Sequence, residues 1–148
     1  MTTHRFTYPV KLIKQKKSGY TVIFLDLPEA ITQGESVADA LNEAHDCLEE
    51  AIANRMTMKL DIPEPSKISS KKHKCYSVAL SATLTAKTAL YILMREKQLT
   101  NVALAKKLEC DEKEIRRLVD PHYQSKIIRI EDVLHALGQR LEISMVQL

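Results

Sequence analysis

Three carboxylates surround a turn near the N-terminus, in the stretch LDLPEAITQGES. They are Asp26, Glu29 and Glu35, and they follow directly on an apolar run. Nucleases and other hydrolases hold catalytic metal ions with carboxylates that converge on one point. The same residues also fit a plain connection from a strand to a helix. Deciding between these interpretations requires knowing whether other elements bring further acids to the turn.

A second group of chemically capable residues lies in TNVALAKKLECDEKEIRRLV, residues 100–119. Two capped helices joined by a tight turn are typical of a helix-turn-helix. In that motif the second helix enters the DNA major groove with its N-terminal half. This helix carries Lys113, Arg116 and Arg117, and arginine can make bidentate hydrogen bonds to guanine. The pattern predicts DNA binding, and an ordinary helical bundle with solvated charges is the alternative.

The other predicted DNA contacts flank these three cations. Lys106 lies on the preceding helix and Lys126 in the loop after the second helix, where phosphates would run. Glu112 weakens the positive charge, although a carboxylate can accept a hydrogen bond from cytosine. The complete set of predicted contacts is Thr100, Asn101, Lys106, Glu112, Lys113, Arg116, Arg117 and Lys126.

The overall composition suits a soluble globular protein. Its 148 residues allow one domain or two small ones, with 45% hydrophobic and 28% charged residues. No segment approaches the roughly 18 consecutive apolar residues of a membrane span, and the start MTTHRFTYPV lacks the apolar core of a signal peptide. We therefore expect a cytoplasmic protein. The net charge of +3 is too small to indicate a nucleic-acid partner by itself.

The sequence predicts no metal or cofactor site. Cys47, Cys75 and Cys110 are far apart and no pair has CxxC spacing, so neither zinc nor a disulfide is indicated. With only three glycines, the chain has no glycine-rich phosphate loop. We expect three reduced thiols and no cofactor.

Alternating apolar residues predict three strands in the N-terminal half and a fourth farther along. Their ranges are Phe6–Lys14, Tyr20–Asp26, Ala30–Gln33 and Tyr76–Leu80, and this period of two with aromatic and β-branched residues is typical of strands. Pro9 has no N–H to donate to a ladder, so we predict that the first strand lies at a sheet edge or carries a bulge. The fourth strand needs a sheet, and the N-terminal one is the nearest.

A helix is predicted to begin after Ser36, because Asp39 three residues later completes a start that resembles a capping box. Its predicted apolar stripe consists of Val37, Leu41, Ala44, Leu48 and Ile52. Acidic residues lie largely on the other side, namely Asp39, Glu43, Asp46, Glu49 and Glu50. They form either a solvated face or a docking surface for a basic partner.

From Thr83 onward the apolar pattern takes the helical period. The predicted helices run from Thr83 to near Gln98, from the cap Thr100, from the cap Asp111 to the stop at Pro121, and from Ile130 to Leu137 before Gly138. In the second of them, Val102, Ala105 and Leu108 are predicted to point inward. Leu141–Val146 alternates again and predicts a final strand. We therefore predict two domains, residues 1–81 and 82–148.

The sequence resembles the HicB-type antitoxins of bacterial toxin–antitoxin systems. The most specific part is YPVKLIKQKKSGYTVIFLDLPEAITQGESVADALNEAHDCLEEAI, residues 8–52, in which a strand leads through LPEAITQGES into the capped helix. The second half, ending in ALGQRLEIS, resembles the version of the family that carries a Cro/repressor-type domain. Together the two halves cover nearly the whole chain.

The resemblance implies an α+β fold with two binding functions. The N-terminal domain would be a small antiparallel sheet with one packed helix, a reduced RNase H-like fold that masks HicA, an mRNA-cleaving toxin. The C-terminal domain would be all-α with a short terminal strand, and it would bind double-stranded operator DNA to repress the operon. Such antitoxins are not nucleases. An RNase H-type site needs acids from several elements, and the strand predicted at Tyr76–Leu80 has none, so we interpret Leu25–Ser36 as a connection.

A homodimer or a higher homo-oligomer is also expected, because one helix-turn-helix buries little DNA surface. Leu141, Ile143 and Met145 alternate along the predicted final strand. We predict that this strand pairs with its symmetry mate, which removes an exposed edge. Two alternatives stay open: a stand-alone transcriptional regulator whose N-terminal domain senses a ligand, and a metal-dependent nuclease that uses Asp26.

Overall fold

The computed structural model describes residues 5–67 and 75–147, without the side chain of Cys75. The chain divides into two compact units, Met1–Leu80 and Ser81–Leu148. The first contains an antiparallel sheet with one helix and the second contains helices, so the expected α+β class is confirmed. The stretch DIPEPSKISSKKHK, residues 61–74, is rich in Pro, Ser and Lys and predicts a loop, and its residues 68–74 lie outside the described residues. Within the described ranges, no helix is both long and apolar enough to cross a bilayer.

Every predicted strand of the N-terminal half is present in one antiparallel sheet. The strands are β1 (Thr7–Lys14), β2 (Tyr20–Phe24), β3 (Ile31–Gly34) and β4 (Cys75–Ala79). Their order across the sheet is β3-β2-β1-β4. β4 pairs with β1, with Tyr8 opposite Val78, so the late strand joins the N-terminal sheet as predicted.

Pro9 lies in an interior strand, and the prediction of an edge or a bulge is wrong. Its carbonyl accepts a hydrogen bond from Leu25 N at 3.3 Å. The N and C=O of one strand residue point to the same side, so the Pro9 nitrogen also faces β2. The β1–β2 register begins with Val10 opposite Phe24, so the missing N–H falls just beyond the end of β2. On the other side Pro9 lies opposite Ser77 in a continuous register, where no donor from Pro9 is needed.

The helix of the first unit, α1 (Val37–Thr57), has the predicted capping start. Ser36 Oγ accepts a hydrogen bond from Asp39 N at 3.1 Å. Asp39 Oδ2 in turn accepts one from Glu35 N at 2.8 Å. These bonds satisfy N–H groups that have no partner within the helix. The turn before α1 is therefore fixed by local hydrogen bonds.

One face of α1 is buried, and it differs slightly from the predicted stripe. The largely buried row consists of Ala40, Ala44, Leu48, Ile52 and Met56. Val37 and Leu41, which were predicted to belong to it, are half-buried. The buried row instead begins at Ala40 and continues at every fourth residue. On the acidic side Glu43, Asp46 and Glu50 are exposed, which fits both a solvated face and a docking surface.

Gly34 ends β3 just before α1 begins, and the two elements approach closely there. A Cβ atom added at Gly34 would lie 2.3 Å from Ala40 N and 2.5 Å from Ala40 Cα. Both atoms belong to the helix backbone and cannot move aside as a flexible side chain would. The connection from strand to helix therefore requires glycine at this position.

The second unit contains the helices α2 (Ala82–Glu96), α3 (Asn101–Leu108), α4 (Glu112–Val119) and α5 (Ile127–Ala136). Each helix contributes a fully buried side chain to one core, namely Leu90, Leu104, Ile115 and Ile130. The predicted caps of α3 and α4 are confirmed. The last helix begins at Ile127 rather than at the predicted Ile130.

Val102 was predicted to point inward on α3, and this is wrong, because it is 67% exposed. The helix buries Leu104 and Ala105 instead. With about 100° of rotation per residue, Val102 lies nearly opposite Leu104 on the helix. The prediction relied on the spacing of three residues between Val102 and Ala105, which does not define the buried face of a helix of only eight residues.

Residues 141–147 form no strand within the described chain. Leu141 packs against the core of the second unit, whereas Ile143 is 70% and Met145 98% exposed. A strand exists only when its backbone groups pair with a neighbour, and the described residues offer this segment none. The predicted final strand is therefore not formed in a single copy of the chain.

Replacing Gly34 tests the close approach of β3 and α1. Gly34→Ala should lower the free energy of unfolding by about 3 kcal/mol, because the methyl group meets fixed backbone. Gly138→Ala is the matched control. Gly138 has a φ of +80° with nothing within 4 Å of an added Cβ. Gly138→Ala should therefore lower the free energy of unfolding by only about 1–2 kcal/mol, because alanine is strained in the left-handed conformation. Urea unfolding followed by circular dichroism measures both losses, and equal losses would contradict the packing argument.

Candidate nucleic-acid interface

Two of the three carboxylates of the N-terminal turn, Asp26 and Glu29, are engaged in holding the chain together. Asp26 accepts hydrogen bonds from Ser66 N at 2.8 Å and from the Ser66 hydroxyl. Glu29 forms a two-point contact with Arg55, at 2.5 Å to Nε and 3.1 Å to Nη2. Among the residues with described positions, no three His, Cys, Asp or Glu side chains are grouped so as to hold a metal ion. Asp26 and Glu29 thus have structural partners.

These contacts fasten the segment that follows α1, residues 61–67, onto the first unit. Tyr8 Oη donates a hydrogen bond to Pro63 O at 2.8 Å, and Arg55 Nη1 donates one to Asp61 O at 3.0 Å. Burial, with a smaller contribution from the Asp26 carboxylate, raises the pKa of Tyr8 to about 12. The hydroxyl therefore stays protonated and remains a hydrogen-bond donor. The stretch LDLPEAITQGES acts as a connection whose Asp26 and Glu29 anchor neighbouring segments.

In the second unit, the turn between α3 and α4 is built from specific caps. Thr100 Oγ1 accepts a hydrogen bond from Ala103 N at 3.0 Å, and Asp111 Oδ1 accepts one from Lys113 N at 2.9 Å. Glu109 ends α3 in the left-handed conformation, with φ 54° and ψ 42°. A left-handed residue commonly ends a helix and reverses the chain. This turn allows α4 to follow α3 after a short connection.

The exposed surface of α4 carries the predicted cations. Ile115 and Leu118 are buried, which leaves Lys113, Arg116 and Arg117 exposed. The predicted contacts Lys106, near the end of α3, and Lys126, just before α5, are exposed as well. Thr100 and the half-buried Asn101 lie at the start of α3. Thr100 uses its oxygen as a cap, and its hydroxyl hydrogen remains able to donate to a phosphate.

Two of the arginines in this region already have carboxylate partners. Arg116 Nη2 lies 2.5 Å from Glu112 Oε2, and Arg116 Nε lies 3.3 Å from Glu112 Oε1. Arg129, near the start of α5, pairs with Glu114 and lies 3.5 Å from Asp132. The hydrogen bond that Arg116 donates to Glu112 raises the pKa of Arg116 above its ordinary value. A base or phosphate that binds the Nε–Nη2 edge of Arg116 must therefore displace Glu112.

Arg117 has a different neighbour, which sequence reasoning missed. Its guanidinium carbon lies 5.3 Å from the centre of the Tyr123 ring, within the range of a cation–π contact. Tyr123 follows α4 in DPHYQSK. The sequence signal that could have revealed this contact is an aromatic residue in a loop between basic residues, a pattern that also suits stacking on nucleic-acid bases. Arg117 keeps its hydrogen-bond donors while the ring supports it.

Comparisons with known proteins point to one family. A family model described as a HicB-like antitoxin of bacterial toxin–antitoxin systems matches residues 7–89. Antitoxin HicB of Escherichia coli (strain K12) is 34% identical over 139 residues, which cover 94% of this chain and 99% of that protein. Antitoxin HicB 2 of Photorhabdus laumondii is 35% identical over 136 residues, covering 92% and 94%. Antitoxin HicB of Pseudomonas fluorescens is 28% identical over 120 residues, covering 81% of each chain.

The anchoring role of Glu29 predicts a pH-dependent stability. Glu29→Gln should lower the free energy of unfolding at pH 7 by about 0.5–1 kcal/mol, the usual contribution of a partly exposed ion pair. The hydrogen bond from Arg55 lowers the pKa of Glu29 from its ordinary 4.5. The contribution is therefore complete above pH 4.5 and is lost as the pH falls through the lowered value.

Urea unfolding at pH 7 and at pH 3 measures this difference between wild type and variant. The difference should be smaller at pH 3. Glu35→Gln is the control, because its exposed side chain should contribute little at either pH. A loss in Glu29→Gln that is the same at both pH values would show that the charge of Glu29 is not what anchors Arg55.

Proposed function

The chain belongs to the HicB-like antitoxin family of bacterial toxin–antitoxin systems, and we propose that it neutralises a HicA-type, mRNA-cleaving toxin and represses its own operon by binding operator DNA. An antitoxin acts by binding, so the protein is not an enzyme. The engagement of Asp26 with Ser66 agrees with this. Both proposed partners are cytoplasmic in bacteria, and we place the protein there.

The two proposed functions fall on different parts of the chain. We assign toxin binding to residues 1–81, because the antitoxin family model, matching residues 7–89, covers that part. We assign DNA binding and dimerisation to residues 82–148, where α3 and α4 act as a helix-turn-helix. The observation that carries DNA binding is the capped α4, which buries Ile115 and Leu118 and exposes its cations.

A homodimer is proposed from the C-terminal segment. Leu141 is anchored on the core of the second unit, and the exposed Ile143 and Met145 follow at alternate positions. Pairing with the same segment of a second copy would form a two-stranded antiparallel ribbon and cover these side chains. A dimer would also present two α4 helices to paired half-sites about one helical turn of DNA apart.

Substitutions in and after α4 test operator reading. Arg116→Ala and Arg117→Ala should each weaken operator binding by about 1–3 kcal/mol and relax the preference at one base position. Lys126→Ala should weaken binding to all sequences alike and reduce the salt slope by about 1. Titrations against operator variants at several salt concentrations separate the two patterns. Unchanged affinity and preference in both arginine variants would show that α4 is not the reading helix.

A separation-of-function experiment tests the assignment of the two units in the full chain. The double variant Arg116→Ala, Arg117→Ala should lose repression of a reporter behind the chain's own promoter. It should still rescue growth of cells that express the HicA-type toxin of the same operon. Wild type and an empty vector are the controls. Loss of rescue at normal protein levels would place part of the toxin-binding surface on α4.

A further inference from the structure

Lys87, on α2, is a charged side chain buried inside the second unit. It is 1% exposed, and burying an ammonium ion is strongly unfavourable unless its charge is compensated. Burial lowers the pKa of Lys87 to about 8, while the Asp120 carboxylate opposes this shift. The side chain is therefore protonated at neutral pH. The core can tolerate this charge only if the ammonium group has hydrogen-bond partners there.

All of the donors of the Lys87 ammonium group are used. Nζ donates hydrogen bonds to Arg117 O at 2.9 Å, to Asp120 O at 2.8 Å and to Ser125 Oγ at 2.9 Å. An ammonium group has three donors, so none is left over. Arg117 O belongs to the last turn of α4 and Asp120 O to its C-cap residue. Carbonyls there lack partners within the helix and carry the negative end of its dipole. Lys87 thus caps α4 from a different helix.

The residues held by Lys87 belong to the candidate nucleic-acid interface. Arg117 is one of the exposed cations of α4, and Tyr123, which supports its guanidinium group, lies within the connection that Lys87 fastens. Ser125 Oγ also donates a weaker hydrogen bond to Arg117 O at 3.4 Å. Ser125 directly precedes Lys126. One buried ammonium group therefore binds two backbone carbonyls before Tyr123 and the side-chain hydroxyl of Ser125 after it.

We propose that Lys87 is a positioning residue for DNA reading, which fixes the end of α4 and the connection to α5 and thereby directs Arg117 at its base. This inference rests on the proposed DNA binding and adds a buried residue that itself touches no DNA. Bidentate contacts from arginine to guanine depend on the placement of the whole guanidinium fork. A shift of the backbone at Arg117 therefore reduces base preference as well as affinity.

The experiment uses the full chain and a duplex from the region upstream of its own gene, with single-base variants of that duplex. Lys87→Met keeps an unbranched side chain and removes the three donors. Binding should weaken roughly tenfold, within the range for loss of one base contact. The base preference should relax at the position affected by Arg117→Ala. Thr88→Val is the matched control, because Thr88 is equally buried and its hydroxyl donates to Leu84 O within α2 at 2.7 Å. It should leave base preference unchanged.

A double-mutant cycle separates positioning from general destabilisation. Adding Lys87→Met to Arg117→Ala should cause little further loss of affinity, whereas adding it to Lys106→Ala should multiply the two losses. Ser125→Ala removes one acceptor at a half-buried site and should relax preference at the same base to a smaller degree. This second variant decides the question if Lys87→Met does not fold.

If the wild-type chain binds the duplex, either of two results would overturn the inference about Lys87 and leave the proposed DNA binding intact. One is a folded Lys87→Met variant with wild-type preference at the Arg117 position, whatever its affinity. The other, if that variant does not fold, is unchanged preference in Ser125→Ala. A wild-type chain that binds none of the duplexes would overturn the proposed DNA binding, and the inference with it.

Discussion

The second unit depends on satisfying the ends of short helices. α3 and α4 are eight residues long, and each end of a helix leaves four backbone groups without intrahelical partners. About half of the backbone polar groups in such a helix therefore lack a partner within it, and helices of this length are marginal in isolation. Thr100 and Asp111 cap the N-terminal ends. The left-handed Glu109 and the ammonium group of Lys87 serve the C-terminal ends, so the position of α4 is set by capping as much as by its buried Ile115.

In the first unit, the carboxylates that look catalytic in the sequence likewise have hydrogen-bond partners. Asp26 accepts hydrogen bonds from Ser66, and Glu29 binds Arg55, which also reaches Asp61 O. A catalytic carboxylate would have to give up such partners in order to hold a metal ion or a water. In this chain the acids have these partners, and the segment after α1 is held by Asp26, Tyr8 and Arg55. The same residue types that suggest hydrolysis thus contribute to the packing of the first unit.

Much of this fold follows from local sequence, because caps and periodicity act over a few residues. Ser36, Thr100 and Asp111 cap helices as predicted, and the strands follow the alternation of apolar residues. The errors arise where neighbours distant in sequence decide. Pro9 is tolerated because β2 ends beside it. The partners of Lys87 lie 30 to 38 residues away, and a lysine within a helical pattern is expected at the surface.

Two cations of the candidate interface have carboxylate partners within the chain, and this bears on how the surface would recognise DNA. Arg116 is bound by Glu112 and Arg129 by Glu114, so DNA must compete with carboxylates for these cations. Arbitrary phosphates gain little from such an exchange, since the ion pair is lost as the new one forms. A guanine offers two acceptors to one guanidinium fork, so a contact with it depends on the base sequence, which an exchange of one ion pair for another does not. In the proposed complex the acids on α4 would therefore lower the general electrostatic affinity for DNA, and the surface of a second copy would add to the area buried on the duplex.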